Sequence, residues 1–455
     1  MDRLTVVDEI FLRTHRGMGT PIALQGLWRT PDAMEPALLQ SIHDRLRVGR
    51  LGRRVVDSRV PGARRGWQPN TSAHPLDLLP NRTAIAETDW PAMPIAHRDS
   101  GRGAGPLPAH AVLPWADSLG TDLDPEFAPG WRLSAARLDD GGTVVALTCS
   151  HVLADARGLI HAVTAALRSL DPAHASIGLL PAGETQYRTT SSEWTDAVSQ
   201  WVTIFGGTTR ALLRRFPRRS ARPATDHVPR EPASSGTPPA NPGSPSDRHL
   251  RPLLLTFDAA HWDTTANTLG GTPNSLFIHL IANILWQNGF PNPIITASLP
   301  VDTRDEPRVD NDLAVTEIAI HRLDTPATIR DKARSAYQHR MSSPAGLPEE
   351  ILQVIPDRWA YTLSKGAGER DILCSNIGTL PDAVRRVGPH DCTRVAARAI
   401  HPGITTFPRT QLAGYLSHLG DTYTLALVSL AADNDSLSDA VDKTCAATGL
   451  HPAPW

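Results

Sequence analysis

Residues 217–247, PRRSARPATDHVPREPASSGTPPANPGSPSD, split the chain into two parts and limit what it can fold into. Proline, serine and glycine dominate the segment and no hydrophobic period survives. Such a stretch cannot bury enough apolar surface to offset the entropy of ordering it. It reads as a disordered crossover between two folded units. The expected organisation is therefore a first half over residues 1–185, a helix plus crossover over 186–249, and a second half over 250–455. At 455 residues the chain can give each half its own core. No internal repeat is visible in the sequence.

Periodicity supports a mixed α/β class. Val6 to Thr14 and Met34 to Arg47 have helical spacing, and Ile22 to Trp28 and Thr83 to Glu87 read as strands. Trp131 to Leu138 alternates, Asp139-Asp140-Gly141-Gly142 turns, and Thr143 to Cys149 returns, which predicts a hairpin. In the second half, Leu250 to Phe257, Pro293 to Leu299, Ala314 to Arg322, Gly414 to His418 and Tyr423 to Leu430 read as strands. Thr272-Pro273 is an N-cap with proline at the first helical position. Leu276, Phe277, Leu280, Ile281, Ile284 and Leu285 form the buried face of that helix, and Gly289 stops it. A last helix covers Ser436 to Thr448.

The hairpin delivers ALTCSHVLADARGLIH, residues 146–161. His151 stands where the second strand ends, and Asp155 follows before a helical pattern. A neutral imidazole is the usual group for taking a proton from an alcohol or amine near pH 7. Taken alone, H-x-x-x-D is weak, and Asp155 also reads as a plain helix N-cap. Cys149 precedes Ser150 and His151, but neighbouring strand residues face opposite ways, so it reads as a buried structural cysteine.

Bulk properties exclude several classes. A net charge of −2 gives no basic bias toward nucleic acid. The N-terminus has no apolar run of signal-peptide type, and no segment approaches the roughly 18 apolar residues of a membrane span. Cys149, Cys374, Cys392 and Cys445 form no CxxC, so neither a metal site nor a disulfide framework is expected. The expected compartment is the cytoplasm. Trp194, Val198, Trp201, Val202 and Phe205 share a helical face, and Arg210, Arg214, Arg215, Arg218 and Arg219 follow. That stretch reads either as an ordinary packed helix or as a face for a membrane surface, a tunnel mouth or an acidic carrier protein.

The order of landmarks is the more specific signal. PGWRLSAARLDDGGTVVALTCSHVLADARG is followed by TPNSLFIHLIANIL, then ITASLPVDTRDEPRVDNDLAV, then ILCSNIGTLP and GYLSHLGDTYTLALVS. This succession resembles the CoA-dependent acyltransferase superfamily, which has the chloramphenicol acetyltransferase-like fold. Within it, the chain is most similar to wax ester synthase/diacylglycerol acyltransferases, mycobacterial polyketide-associated acyltransferases and nonribosomal peptide condensation domains. The resemblance implies two similar halves, each a mixed sheet backed by helices, forming a V-shaped pseudodimer with a central tunnel. A crossover from one half onto the other's sheet is part of that architecture.

The family motif is HHxxxDG. His151 matches its second histidine and Asp155 its aspartate, while Ser150 stands at the first histidine and Ala156 at the glycine. Ala156 is a concern for a tight turn because alanine tolerates positive φ poorly. By the resemblance, His151 is the catalytic base of acyl transfer and Asp155 pairs with Arg304 of PVDTR to support the loop. Arg304 otherwise reads as a solvated turn residue. Ser375 and Asn376 of SNIG match a loop near the active site and are candidates for oxyanion contacts, with a simple turn as the alternative. Ser417 is a candidate tunnel-lining hydroxyl. The implied donor is an acyl thioester, presented by CoA or by a phosphopantetheinyl acyl or peptidyl carrier protein. The implied acceptor is a small alcohol or amine, with no further cofactor. Ser150 and Ala156 motivate one alternative, a non-catalytic condensation-like binding protein, and a thioester hydrolase is a further one.

Overall fold

The computed structural model describes residues 2–17, 19–79, 105–170, 192–201, 250–338, 370–430 and 437–455. The first half begins with helix α1 (Val6–Gly17), strand β1 (Ala23–Thr30) and helix α2 (Pro36–Val48). A small hairpin of β2 (Arg53–Val56) and β3 (Gly66–Pro69) follows, then β4 (Asp77–Leu79) and the short helix α3 (Val112–Asp117). The expected hairpin is β5 (Trp131–Arg137) with β6 (Thr143–Ser150), and α4 (Ala156–Arg168) leaves it.

The second half opens with β7 (Arg251–Asp258), α5 (Ala259–Thr268) and α6 (Pro273–Gln287). Next come the antiparallel pair β8 (Ile294–Asp302) and β9 (Leu313–His321), helix α7 (Pro326–Gln338) and strand β10 (Ile372–Thr379). Short strands β11 (Arg386–Val387) and β12 (His390–Asp391) lead into β13 (Arg394–Ile400). A second long hairpin, β14 (Leu412–Leu419) with β15 (Thr422–Ser429), precedes α8 (Leu437–Thr448) and β16 (Ala453–Pro454).

The strands form two main sheets, ordered β13-β1-β6-β5-β4 and β16-β7-β15-β14-β10-β8-β9. Within them β1-β6-β5-β4 and β7-β15-β14-β10 repeat one pattern: two antiparallel pairings, then a parallel one. The halves are therefore structural repeats. One apolar core lies wholly within the second half, while the other joins the first half to Leu254, Tyr415, Ala426 and Val428 of the second. β6 is buried along its whole length, which is why it reads as a continuous apolar run and not as an alternation. β13 comes from the second half of the sequence but pairs with β1 from Ala23↔Ile400 to Arg29↔Arg394, so it is a crossover strand.

Local chemistry accounts for the main helices. In α6 the Thr272 side chain accepts from Ser275 N while Ser275 returns the bond, a reciprocal cap with proline in the first turn. Beyond the six expected residues, Ile278, Ala282 and Trp286 are also buried, so α6 is covered on nearly every side. Each such Leu, Ile or Phe contributes roughly 1.5–3 kcal/mol by leaving water. Gly289 terminates the helix with φ of 91°.

Four features differ from the sequence reading or extend it. SNIG is not a loop: Ser375 and Asn376 lie within β10, which is parallel to both β8 and β14 and has a register irregularity between Asn376 and Gly378. Helices α5 and α7 and strand β13 are not expected from the sequence, although α7 buries Ile329 and Ala333 at helical spacing. The proposed strand at Thr83 to Glu87 lies outside the described residues, as do Val202, Phe205 and the arginines from Arg210 to Arg219. Finally, in the helical segment 193–201 the apolar face points outward, with Trp194 70%, Val198 60% and Trp201 42% exposed. Asp196, Ala197 and Gln200 are the buried side. The cause is an ion pair: Arg64 Nη2 lies 2.6 Å from Asp196 Oδ1 and Arg64 N donates to Oδ2 at 2.9 Å. The helix docks by its polar stripe.

Candidate active site

β6 ends at Ser150, and His151 follows with its backbone N–H donating to Ile22 O at 3.0 Å. Leu153 N donates back to Ser150 O at 3.0 Å, closing a turn that leads to α4. The His151 ring has intermediate exposure and stacks on Phe11 of α1, with centroids 3.6 Å apart and planes inclined by 17°. Its Nδ1 is buried and meets no hydrogen-bond partner among the described residues. Burial holds the imidazole below the ordinary histidine pKa, against the pull of the Asp155 carboxylate. It is therefore neutral at pH 7 and able to accept a proton.

Asp155 is the N-cap of α4, with φ −87° and ψ −177°, and its Oδ1 accepts from Gly158 N at 2.8 Å. It also meets a cation: Arg304 Nη2 lies 2.6 Å from Oδ1, both side chains being buried. Oδ2 accepts from Asp312 N at 3.0 Å. The N-cap and ion-pair readings both hold. With each oxygen occupied by these donors, Asp155 is arranged to fix the loop and not to exchange a proton with His151. Arg304 is held in turn by Asp302 Oδ1 at 2.8 Å and Arg308 O at 3.1 Å.

These contacts come from one segment, residues 303–312, which joins β8 to β9. Sequence reasoning found Arg304 there but missed Asp310 and Asn311. Asn311 Nδ2 lies 2.9 Å from His151 O, 3.1 Å from Val152 O and 2.7 Å from Asp8 Oδ1. Asp310 pairs with the fully buried Arg53, whose guanidinium carbon sits 4.0 Å above the Trp67 ring. Arg53 Nη2 also donates to Leu153 O at 2.5 Å. Asp8, wholly enclosed, is raised to about 6 by desolvation, which outweighs the nearby Arg53. No sequence signal short of pairing residues hundreds of positions apart finds this network.

The two motif departures have local explanations. Ser150 is buried, and its Oγ accepts from Val152 N at 3.4 Å, inside the turn. Ala156 is the first helical residue of α4, so no left-handed conformation is required of it, and the concern about its φ does not arise. The position that needs glycine is Gly158, where a Cβ would meet Val309 O at 2.1 Å. Cys149 is buried and pushed up to about 12 by desolvation, which leaves it an inert thiol.

Ser375 and Asn376 on β10 and Ser417 on β14 sit on adjacent strands, with Asn376↔Leu416 and Gly378↔Ser417 in register. Asn376 Oδ1 accepts from Gly378 N and its Nδ2 donates to Asn274 Oδ1, both at 2.9 Å. Ser417 is buried. Among the described residues none of the three bonds to His151, Asp155 or Arg304. Their link to the histidine loop is indirect: Arg157 Nη1 of α4 donates to Thr379 O at the end of β10 at 3.3 Å. Among the described residues no three His, Cys, Asp or Glu side chains converge as a metal set, and no helix is long and apolar enough to cross a membrane.

No family model and no curated protein matches the sequence. Solved structures do match. The wax ester synthase/diacylglycerol acyltransferase of Marinobacter aquaeolei VT8 aligns over 98% of both chains with a TM-score of 0.54 at 13% identity. The cyclization-docking bidomain of EpoB, a nonribosomal peptide synthetase from Sorangium cellulosum, gives 0.57 at 14% identity over 98% of this chain and 83% of that one. The nonribosomal peptide synthetase FmoA3 gives 0.52 at 14% identity over 98% of this chain, which spans only 42% of FmoA3. The chain therefore has the fold of the CoA-dependent acyltransferase superfamily, the architecture it shares with condensation-type domains and wax ester synthase.

Proposed function

We propose that the protein is an acyltransferase that moves an acyl group from a thioester, on CoA or on a phosphopantetheinyl carrier, to an alcohol or amine. The observation that carries this reading is His151: a neutral imidazole at the end of a central strand, stacked on Phe11, in a loop held from the other half. In the proposed reaction His151 accepts the nucleophile's proton as the O–C or N–C bond forms. The tetrahedral intermediate then collapses, the C–S bond breaks, and His151 returns the proton to the thiolate. Asp155 and Arg304 are positioning residues. Ser375, Asn376 and Ser417 are proposed to supply polar contacts to the substrate from the second sheet. A passage between the halves would bring donor and acceptor to His151 from opposite sides. Positioning and proton transfer supply the rate.

The test is thiol release from a panel of acyl-CoAs and acyl-pantetheinyl carrier thioesters with mixed alcohol and amine acceptors, comparing the wild type with His151→Ala. The expected result is acceptor-dependent release that falls about 10²–10⁴-fold in the variant. Release without acceptor would replace this reading with hydrolysis. Specific binding of thioesters, unchanged in His151→Ala and without product, would replace it with the non-catalytic reading that Ser150 motivates.

A further inference from the structure

We infer that His401 is a second imidazole of the same reaction centre and that it selects acceptors with two hydrogens on the nucleophilic atom, which makes a primary amine the acceptor class. This rests on the acyl-transfer reading of His151 and deepens it.

The placement follows from strand register. Ala23 of β1 pairs with Ser150 of β6 on one side and with Ile400 of β13 on the other. Both neighbours are antiparallel to β1, so β6 and β13 run in the same direction and stop on the same rung. The next residue in each is a histidine, His151 and His401. Each turns to the backbone entering β1: His151 N–H reaches Ile22 O at 3.0 Å, and His401 Nδ1 lies 3.2 Å from Pro21 O. Two strand spacings put their backbones roughly 10 Å apart.

His401 has one available tautomer. A carbonyl oxygen only accepts, so Nδ1 carries the proton and Nε2 keeps its lone pair. Burial pushes the His401 pKa down to about 4, and the charge of protonated His151 acts in the same direction. His401 is thus a neutral, fixed hydrogen-bond acceptor beside the proposed base.

The chemistry separates amines from alcohols. When a neutral primary amine attacks, its lone pair forms the N–C bond, the carbonyl pair moves to oxygen, and the nitrogen holds two hydrogens and a positive charge. His151 takes one hydrogen as a proton. The other, which remains in the amide product, is held by His401 Nε2 and aims the nitrogen. The oxyanion then collapses, the C–S bond breaks, and the proton on His151 goes to sulfur. An alcohol brings one hydrogen, which His151 must take, and leaves the His401 acceptor without a donor. A site built to accept a hydrogen bond discriminates against the ligand that lacks it.

The experiment compares a primary amine with the alcohol of the same carbon skeleton in the wild type, His401→Leu, His401→Gln and His151→Ala. The expected result is a loss of about tenfold in kcat/KM for the amine in His401→Leu, with the alcohol as fast as in the wild type or faster, because the acceptor it left unpaired is gone. His401→Gln, which keeps an acceptor, should recover part of the amine rate. Equal loss for both acceptors overturns the selection by His401. Turnover surviving in His151→Ala overturns the acyl-transfer mechanism instead, so the two failures are distinct. Imidazole NMR decides the placement without any turnover. His401 should titrate far below an ordinary histidine, carry its proton on Nδ1, and move upward in His151→Ala. Ordinary titration, or a proton on Nε2, overturns the inference.

Discussion

Strands β6 and β15 occupy equivalent places in their sheets. Each is an eight-residue strand from Thr to Ser, each pairs on one side with the first strand of its half and on the other with its hairpin partner. After Ser150 comes His151; after Ser429 comes Leu430, a buried residue whose N–H donates to Gln411 O at 2.8 Å. The fold is repeated, yet the titratable group is not. The difference traces to strands that only the second sheet has. β8 and β9 lie beyond the shared four-strand order, and the arm joining them brings Arg304, Asp310 and Asn311 to the turn after β6. One extra hairpin in one half thus fixes the histidine loop of the other.

Removing the arm's cation should give the largest effect on this asymmetry. Arg304→Leu leaves the buried Asp155 carboxylate without its counter-charge, and breaking such a pair costs about 3–5 kcal/mol. Urea unfolding should register that loss, with acyl transfer reduced alongside it. A change near zero would mean that the arm does not hold the loop. Next is Gly158→Ala, whose new Cβ collides with Val309 O. Overpacking of this kind costs about 1–3 kcal/mol. Its converse, Ala156→Gly, restores the family motif but only loosens the first turn of α4, at about 0.5–1 kcal/mol. Thermal unfolding of the two variants side by side tests the ranking, and the reverse order would put the glycine requirement back at position 156.

The smallest effect concerns the crossover. His390 of β12 places Nδ1 2.8 Å from Asp32 Oδ2 and Nε2 3.1 Å from Glu35 Oε2, at the start of α2. Both nitrogens face carboxylates, so the imidazolium is the form that satisfies them. Burial opposes it, but the bonds to Asp32 and Glu35 prevail and the His390 pKa is raised. A raised folded pKa gives stabilisation that is complete below the unfolded histidine value and is lost as pH climbs through the folded one. Because Asp32 and Glu35 are largely exposed, the amplitude should stay below about 1 kcal/mol. The Tm difference between wild type and His390→Gln should therefore shrink as pH rises from about 5.5 to 8.5. A difference that does not vary with pH would break the link between this tether and the charge on His390.

How much of this the sequence discloses depends on the range of the interaction. The β5–β6 hairpin, the cap at Thr272 and the helix after Asp155 are local, and turn or cap chemistry announces them. β10 was hidden because Ser375, Asn376 and Gly378 are turn formers that here sit in a parallel strand with a register irregularity. β13 was hidden because Arg394 and Arg398 look solvated. In fact Arg398 is wholly buried, bonded to Gln25 Oε1 at 2.7 Å and paired with Asp117 at 2.6 Å. The sequence leaves open which face of the 193–201 helix packs, and the choice falls to Arg64, far away in sequence, which claims Asp196. At the site, His151, Asp155 and Arg304 could be named from their motifs. Phe11, Arg53 and Asn311 reach it only through tertiary contacts.

The crossover strand also sets a timetable. β1 can pair with β6 as soon as residue 150 has left the ribosome, but its other edge needs residues 394–400. At roughly 5–20 residues per second of synthesis, that edge stays open on the order of tens of seconds. An unpaired strand is a template for other chains, and here it is ALQGLWRT, which the finished protein buries almost completely. The newborn chain's hazard is therefore concentrated at Ala23–Thr30. Slower translation through the second half lengthens the exposure, and aggregates formed during overproduction are expected to be seeded there.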